Sequence, residues 1–189
     1  MDREAGFVKI DMLLRYEPRI IWVTNVTVFQ IVLLLATLLC SLVAGFLFAF
    51  AAVVMPGIRN LDDGGFIRTF QVIDRVIQNN QPLFMFVWVG SVLAVFLAAV
   101  LGIWALSPPD RLLMISAALV YFFGVQLPTL AINVPLNNRL KNLDLGTMSE
   151  TTRKRAREDF EPRWNRWNGI RTAWASVVSI MLMLLLMRA

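Results

Sequence analysis

Charge is absent from this sequence over four long stretches, and those gaps constrain the fold more than any motif does. Between Arg19 and Arg59 lie 39 consecutive residues without Asp, Glu, Lys or Arg; between Arg75 and Asp110 there are 34, between Arg111 and Arg139 there are 27, and between Arg171 and Arg188 there are 16. An α-helix needs about 20 residues to cross a hydrocarbon core about 30 Å thick. Three runs clear that length and the fourth nearly does. The predicted fold is all-α: a transmembrane four-helix bundle preceded by an N-terminal amphipathic segment.

Composition agrees and removes several functions. Of the 189 residues, 58% are hydrophobic and 16% charged, against about 25% charged in an ordinary soluble domain. Histidine is absent and Cys40 is the single cysteine. Haem, non-haem iron, copper and zinc sites with their usual ligand sets are therefore not expected, and no metal site is expected. The net charge of +5 is concentrated in residues 136–171, which carry nine basic and five acidic side chains, while residues 1–25, 56–81 and 107–111 are each neutral. Positive charge beside a membrane has a topological origin, so lipids rather than nucleic acid are the expected partners. The first apolar run starts near Ile20 and is too long for a signal-peptide core, so it is kept as a helix.

Spans are expected over about 26–55, 82–106, 111–135 and 162–187, making one transmembrane domain over 26–189. Pro56-Gly57 ends the first, Asn79-Asn80-Gln81-Pro82 opens the second, and Ser107-Pro108-Pro109 separates the second from the third. Pro128 and Pro135 punctuate the third, and Thr151–Glu161 reads as a short surface helix before the fourth. Residues 1–25 alternate charge with Phe7, Ile10, Leu13 and Leu14, the pattern of an interfacial amphipathic helix. Gly90, Ala94, Ala98 and Gly102 in the second span, and Ser41, Gly45 and Ala49 in the first, form small-residue stripes that let helices approach closely. A seam inside the bundle is the plain reading, and a homo-oligomer face the other. The 56–81 and 136–171 side holds 12 Lys and Arg against 6 on the other. Loops 56–81 and 136–161 are thus expected in the cytoplasm and both termini outside, in a bacterial inner membrane.

Antiparallel spans bring the distinctive polar residues to one face. These are Gln71, Asn79 and Asn80, then Asn133 and Asn137, then Trp164, Trp167, Asn168 and Arg171. Counting back from Met187 puts Arg171 about one turn inside the hydrocarbon boundary, a costly place for an arginine that neither snorkels nor meets a partner. Trp164, Asn168 and Arg171 share a helical face, and Trp167 is expected beside Arg171. The amide oxygen of Asn133 is the expected acceptor for the guanidinium, and Gln126 is a deeper pocket-lining candidate. Against this stands a plainer reading of Trp residues as an aromatic belt and of Asn79 or Asn80 as helix caps. No Asp or Glu lies within a span, which disfavours an ion-coupled transporter.

Three segments carry a family resemblance. Ala44-Gly45-Phe46-Leu47-Phe48-Ala49-Phe50 followed by Val54-Met55-Pro56-Gly57, the run Asn133-Val-Pro-Leu-Asn137, and Trp164-x-x-Trp167-Asn168-x-x-Arg171 resemble motifs of the anthrone oxygenase-like small membrane proteins. The likeness covers about residues 40–187. It implies oxidation of anthrones to anthraquinones with O₂ and no cofactor. Applied to this sequence, Trp164 and Trp167 would stack on a flat substrate, with Asn137, Gln126, Asn79 and Asn80 lining its site. Arg171, Asn168 and Asn133 would hold its anionic oxygen, and Asp74 or Glu161 would have to serve as base. The alternative reading is a non-enzymatic lipid- or quinone-binding subunit of a membrane complex.

Overall fold

The computed structural model describes residues 27–79 and 81–188. Five helices follow one another: α1 (Val28–Ile58), α2 (Asp63–Gln78), α3 (Pro82–Ala105), α4 (Pro108–Lys141) and α5 (Glu150–Leu186). No strand occurs among the described residues. All but α2 are long and apolar enough to cross a membrane, so the chain is an integral membrane protein with the expected four spans. The amphipathic segment expected at 1–25 and the side chain of Asn80 lie outside the described residues.

Helix starts follow the local chemistry. The Thr27 side chain accepts from the Gln30 N–H, that of Asp62 from Gly65 at 2.6 Å, that of Gln81 from Phe84, and that of Ser149 from Thr152. Each satisfies an amide that the first turn leaves unpaired. The cap before α3 is therefore Gln81, while Asn79 terminates α2 on the exposed surface.

Three expected boundaries are corrected. Pro56 does not end α1, because a π-helical turn over Phe50–Val54 precedes it and the Met55 N–H reaches back to the Phe50 carbonyl. Proline lacks a donor and crowds the carbonyl four residues before it; a widened turn there absorbs the misfit without breaking the helix. The third span repeats the device, with π-helical turns over Tyr121–Gln126 and Thr129–Asn133 ahead of Pro128 and Pro135, and α4 continues to Lys141. The surface helix expected over 151–161 is the first part of α5, which passes through Pro162 unbroken. Arg157 holds that part in place by bonding Glu161 at 2.8 Å, Asp63 at 3.2 Å and the carbonyls of Arg59 and Leu61, with its guanidinium over the Phe66 ring.

The stretch read as a loop at 56–81 contains α2. Its buried side chains Phe66, Ile67, Phe70 and Asp74 recur at helical spacing and pack on α5 and the end of α4. α2 thus closes one end of the bundle.

In the bundle, α1 packs extensively on α3 and α5, and α4 packs on α5. Packing between α3 and α4 is concentrated on Pro108–Val120, next to the turn that joins them. The small-residue stripe of α3 is a seam: a Cβ on Gly90 would lie 3.3 Å from Leu39, and one on Gly102 would lie 3.6 Å from Phe29. The stripe of α1 is not, since Gly45 faces open space; its buried face is Leu33, Ala36, Cys40, Val43 and Leu47. Gly124 is a point of closest approach, where a Cβ would meet Trp174 at 2.8 Å.

Candidate functional site

A cavity of about 330 Å³ opens where the end of α1, the start of α3, the second half of α4 and the middle of α5 meet over α2. Ligand sites are commonly hollows of about this size or larger, mostly apolar with a few convergent polar groups. Its walls are largely aromatic: Phe46 and Phe50 from α1, Phe70 from α2, Phe84 and Trp88 from α3, and Trp164 from α5. Phe84 and Trp88 stack with ring centroids 5.4 Å apart, and Trp164 meets Phe50 at 5.7 Å and Phe70 at 5.5 Å.

Polar groups reach the same cavity from three helices. Arg171 on α5 is only 4% exposed. It donates to Thr129 Oγ1 and to Asn168 Oδ1, each at 2.9 Å. Both acceptors are neutral, and none of the ion pairs among the described residues includes it. Asn168 is fixed in turn by donating to the Leu47 carbonyl at 3.0 Å, at the approach to the π-helical turn of α1. A buried cation with neutral acceptors alone keeps most of its positive field directed into the hollow it lines.

Asp74 supplies the opposite charge. Although only 3% exposed, it lines the cavity from α2 and accepts from Asn137 Nδ2 at 2.8 Å and from Gln78 Nε2. Asn137 Oδ1 accepts from Trp164 Nε1 at 2.8 Å. A donor-only indole and a carboxylate thereby set the amide's orientation. Burial pushes the Asp74 carboxyl above its ordinary range, outweighing the opposing pull of the Asn137 and Gln78 hydrogen bonds and the Lys141 charge. Desolvation penalises the ionised form.

The expected site residues separate into two groups. Arg171, Asn168, Asn133, Asn137 and Trp164 all line the cavity. Asn133 is placed as expected but paired differently: its Nδ2 donates to the Trp164 carbonyl at 3.4 Å, and its Oδ1, expected to receive the guanidinium, has no partner. Thr129, one turn earlier on α4, takes that bond. Trp167 does not line the cavity; the guanidinium carbon of Arg171 lies over the ring of Trp164, 6.0 Å from its centroid. Gln126 is buried but outside the lining, accepting from Trp88 Nε1 at 3.1 Å. Asn79 is exposed at the end of α2 and also outside it. Gln71 ties α2 to the carbonyls of Leu140 and Leu143. Of the two acids expected as base, Glu161 is paired with Arg157 away from the cavity, and Asp74 is inside it. Thr129 was missed; its position four residues before Asn133, on the same helical face, was the signal.

Comparison with known proteins adds one finding. The family model for anthrone oxygenase matches residues 74–181, a span that begins at Asp74 and contains Thr129, Asn133, Asn137, Trp164, Asn168 and Arg171. The segment at 44–57 lies outside the match. No curated protein and no solved structure matches the chain.

Proposed function

The chain belongs to the anthrone oxygenase family, and from that premise we propose that it oxygenates a hydrophobic, flat aromatic substrate of anthrone type, whose ring CH₂ is made acidic by a conjugated carbonyl, inside the cavity between α2 and the four spans. The observation that carries the reading is the pairing of charges around one aromatic hollow. Arg171 is a buried cation with only neutral partners, and Asp74 is a buried acid whose carboxyl is pushed upward.

In this mechanism Asp74 removes a proton from the activated carbon of the substrate. A raised carboxyl is a stronger base than an ordinary one and stays within reach of neutral pH. The negative charge moves to the substrate oxygen, which Arg171 stabilises, with Asn168 and Thr129 holding the guanidinium in position before the charge develops. The delocalised carbanion gives one electron to O₂, and the radical pair combines to a carbon-bound peroxide. Asp74 returns its proton to the outer oxygen. Loss of the second carbon-bound proton then cleaves the O–O bond, leaving a ketone and releasing water. One CH₂ and one O₂ thus become one C=O and one H₂O. Trp164 and the phenylalanines hold the rings and exclude water. We place α2 and the 142–149 turn on the cytoplasmic side, in line with their basic surroundings.

The test is O₂ uptake by the purified chain with anthrones, beside Asp74→Asn. The amide keeps the shape but not the base, so turnover should fall by about 10²–10⁴-fold with the melting temperature kept. A wild-type chain inert toward every anthrone offered, or an Asp74→Asn variant of undiminished turnover, would overturn the assignment.

A further inference from the structure

Each side of the cavity can be assigned as closed or open. Between α1 and α3, Phe46 packs on Phe84 at 5.3 Å and on Trp88 at 6.4 Å. Between α1 and α5 the helices are in close contact and Asn168 bonds the Leu47 carbonyl. Between α4 and α5 the gap is bridged by Arg171 to Thr129 and Trp164 to Asn137. α2 covers the end, joined to α4 by Asp74 to Asn137 and by Gln71 to the Leu140 carbonyl. The remaining side lies between the first turns of α3 and the second half of α4, below the Trp88–Gln126 hydrogen bond, where packing of the two helices has ended. The cavity-lining side chains there are Met85 at 37% exposed, Leu130 at 67% and Val134 at 37%. All three are apolar and belong to spanning helices.

We propose that this gap is a lateral slot, open to the hydrocarbon core, and that the cavity binds ring compounds whose apolar chain runs out through it into the bilayer. The inference rests on the reading of the cavity as a site for lipophilic rings and adds the class of ring. The polar groups sit at the inner end, where Arg171 and the unpartnered Asn133 Oδ1 suit oxygen substituents on a ring. The three side chains at the mouth offer no polar atom, and a slot facing hydrocarbon would be supplied with no water. A molecule with an oxygenated ring at one end and an alkyl or isoprenoid chain at the other matches both ends without desolvating a polar group. Such a molecule already resides in the bilayer, so the slot is also its route of entry.

Binding tests this without turnover. Menadione, which has no chain, and phylloquinone, its counterpart with a phytyl chain, are titrated into the purified chain at equal mole fractions in detergent. Quenching of tryptophan emission is the readout, because Trp88 and Trp164 line the cavity. Phylloquinone should bind at least about tenfold more tightly. Met85→Phe with Val134→Phe, at positions more than one-third exposed, should weaken phylloquinone by about tenfold more than it weakens menadione. Equal affinity of the two quinones, absence of binding by both, or equal weakening of both in the double variant would overturn the slot. Where the double variant does not fold, the wild-type comparison decides alone. An absence of O₂ uptake with anthrones would sink the oxygenase and leave this difference in binding intact.

Discussion

Near the α3–α4 turn, Leu33, Ala36, Ala98, Met114, Val178 and Leu182 are fully enclosed by regular α-helix. At the opposite end the core is Phe50, Phe66, Phe70, Phe160 and Trp164, with Leu136 and Leu140 beside them. There α1 and α4 depart from α-helical geometry over Phe50–Val54 and Thr129–Asn133, whereas the Tyr121–Gln126 turn lies between the two ends and buries Tyr121 and Val125 in the first core. The first end is a packing problem solved with small residues and aliphatic side chains, in which helices of standard pitch meet closely. The second has an arginine, an aspartate, a threonine and three asparagines to accommodate. Its π-helical turns re-aim side chains such as Thr129 and Asn133 toward a shared hollow, and such turns are frequent at functional sites. Two of the three π-helical turns in this bundle thus lie where polar groups must converge.

The largest effect is expected when the second end is given the apolar character of the first. Arg171→Met keeps the length and removes the charge. Turnover should fall by about 10²–10³-fold, the cost of losing a preorganised donor to a developing oxyanion. The melting temperature should hold or rise, because a buried cation without an ionic partner is replaced by a side chain that needs none. Parallel measurement of O₂ uptake and thermal unfolding in detergent checks both halves. A variant that unfolds while the surviving fraction stays active would show that Arg171 is structural and that the two ends follow one rule.

The converse substitution belongs at the first end. Leu182 is completely buried, and Leu182→Ala leaves a void among tightly packed neighbours. In lipid the transfer part of the penalty is small, since the unfolded reference is also apolar. The cavity part remains, about 1–3 kcal/mol. The expected outcome is a lower melting temperature with turnover per folded molecule unchanged. Reduced turnover at full stability would mean that the first end is coupled to the site.

What could be read in the sequence divides along the same line. The four spans, their antiparallel order and the seam at Gly90 and Gly102 followed from charge-free runs and from spacing, because packing of regular helices depends on little else. That Arg171, Asn168, Asn137 and Trp164 come to one cavity is legible in the sequence because depth and helical phase can be counted from a span's end. The failures have a common physical origin. Pro56, Pro128 and Pro162 read in the sequence as breaks or boundaries, yet π-helical turns accompany the first two and α5 runs on through the third. The guanidinium bonds Thr129, one turn earlier on the face of α4 that carries Asn133, where Asn133 itself was expected. α2 was hidden because two glycines follow its cap and its 16 residues are too short to register as a span. With α2 unseen, Asp74 could be named as an acid on the right side of the membrane but not given a geometry.

The smallest expected effect, and the most specific to the second end, is a dependence on pH. Burial raises the Asp74 carboxyl in the folded chain relative to the unfolded one. Across the window between those two values the folded state holds more protons. Stability is therefore greatest below the unfolded value and declines as pH rises through the folded one. Activity should move the other way, because only the ionised carboxylate can take the substrate proton. Thermal unfolding and kcat/KM measured over the same mildly acidic range should thus show opposing trends, and Asp74→Asn should abolish the stability slope belonging to this group. Glu161, held by Arg157 outside the cavity, provides the control: Glu161→Gln should leave the kcat/KM profile in place. If the profile instead follows Glu161, the base lies outside the aromatic hollow, and the polar end of the bundle owes its irregular helices to something other than proton transfer.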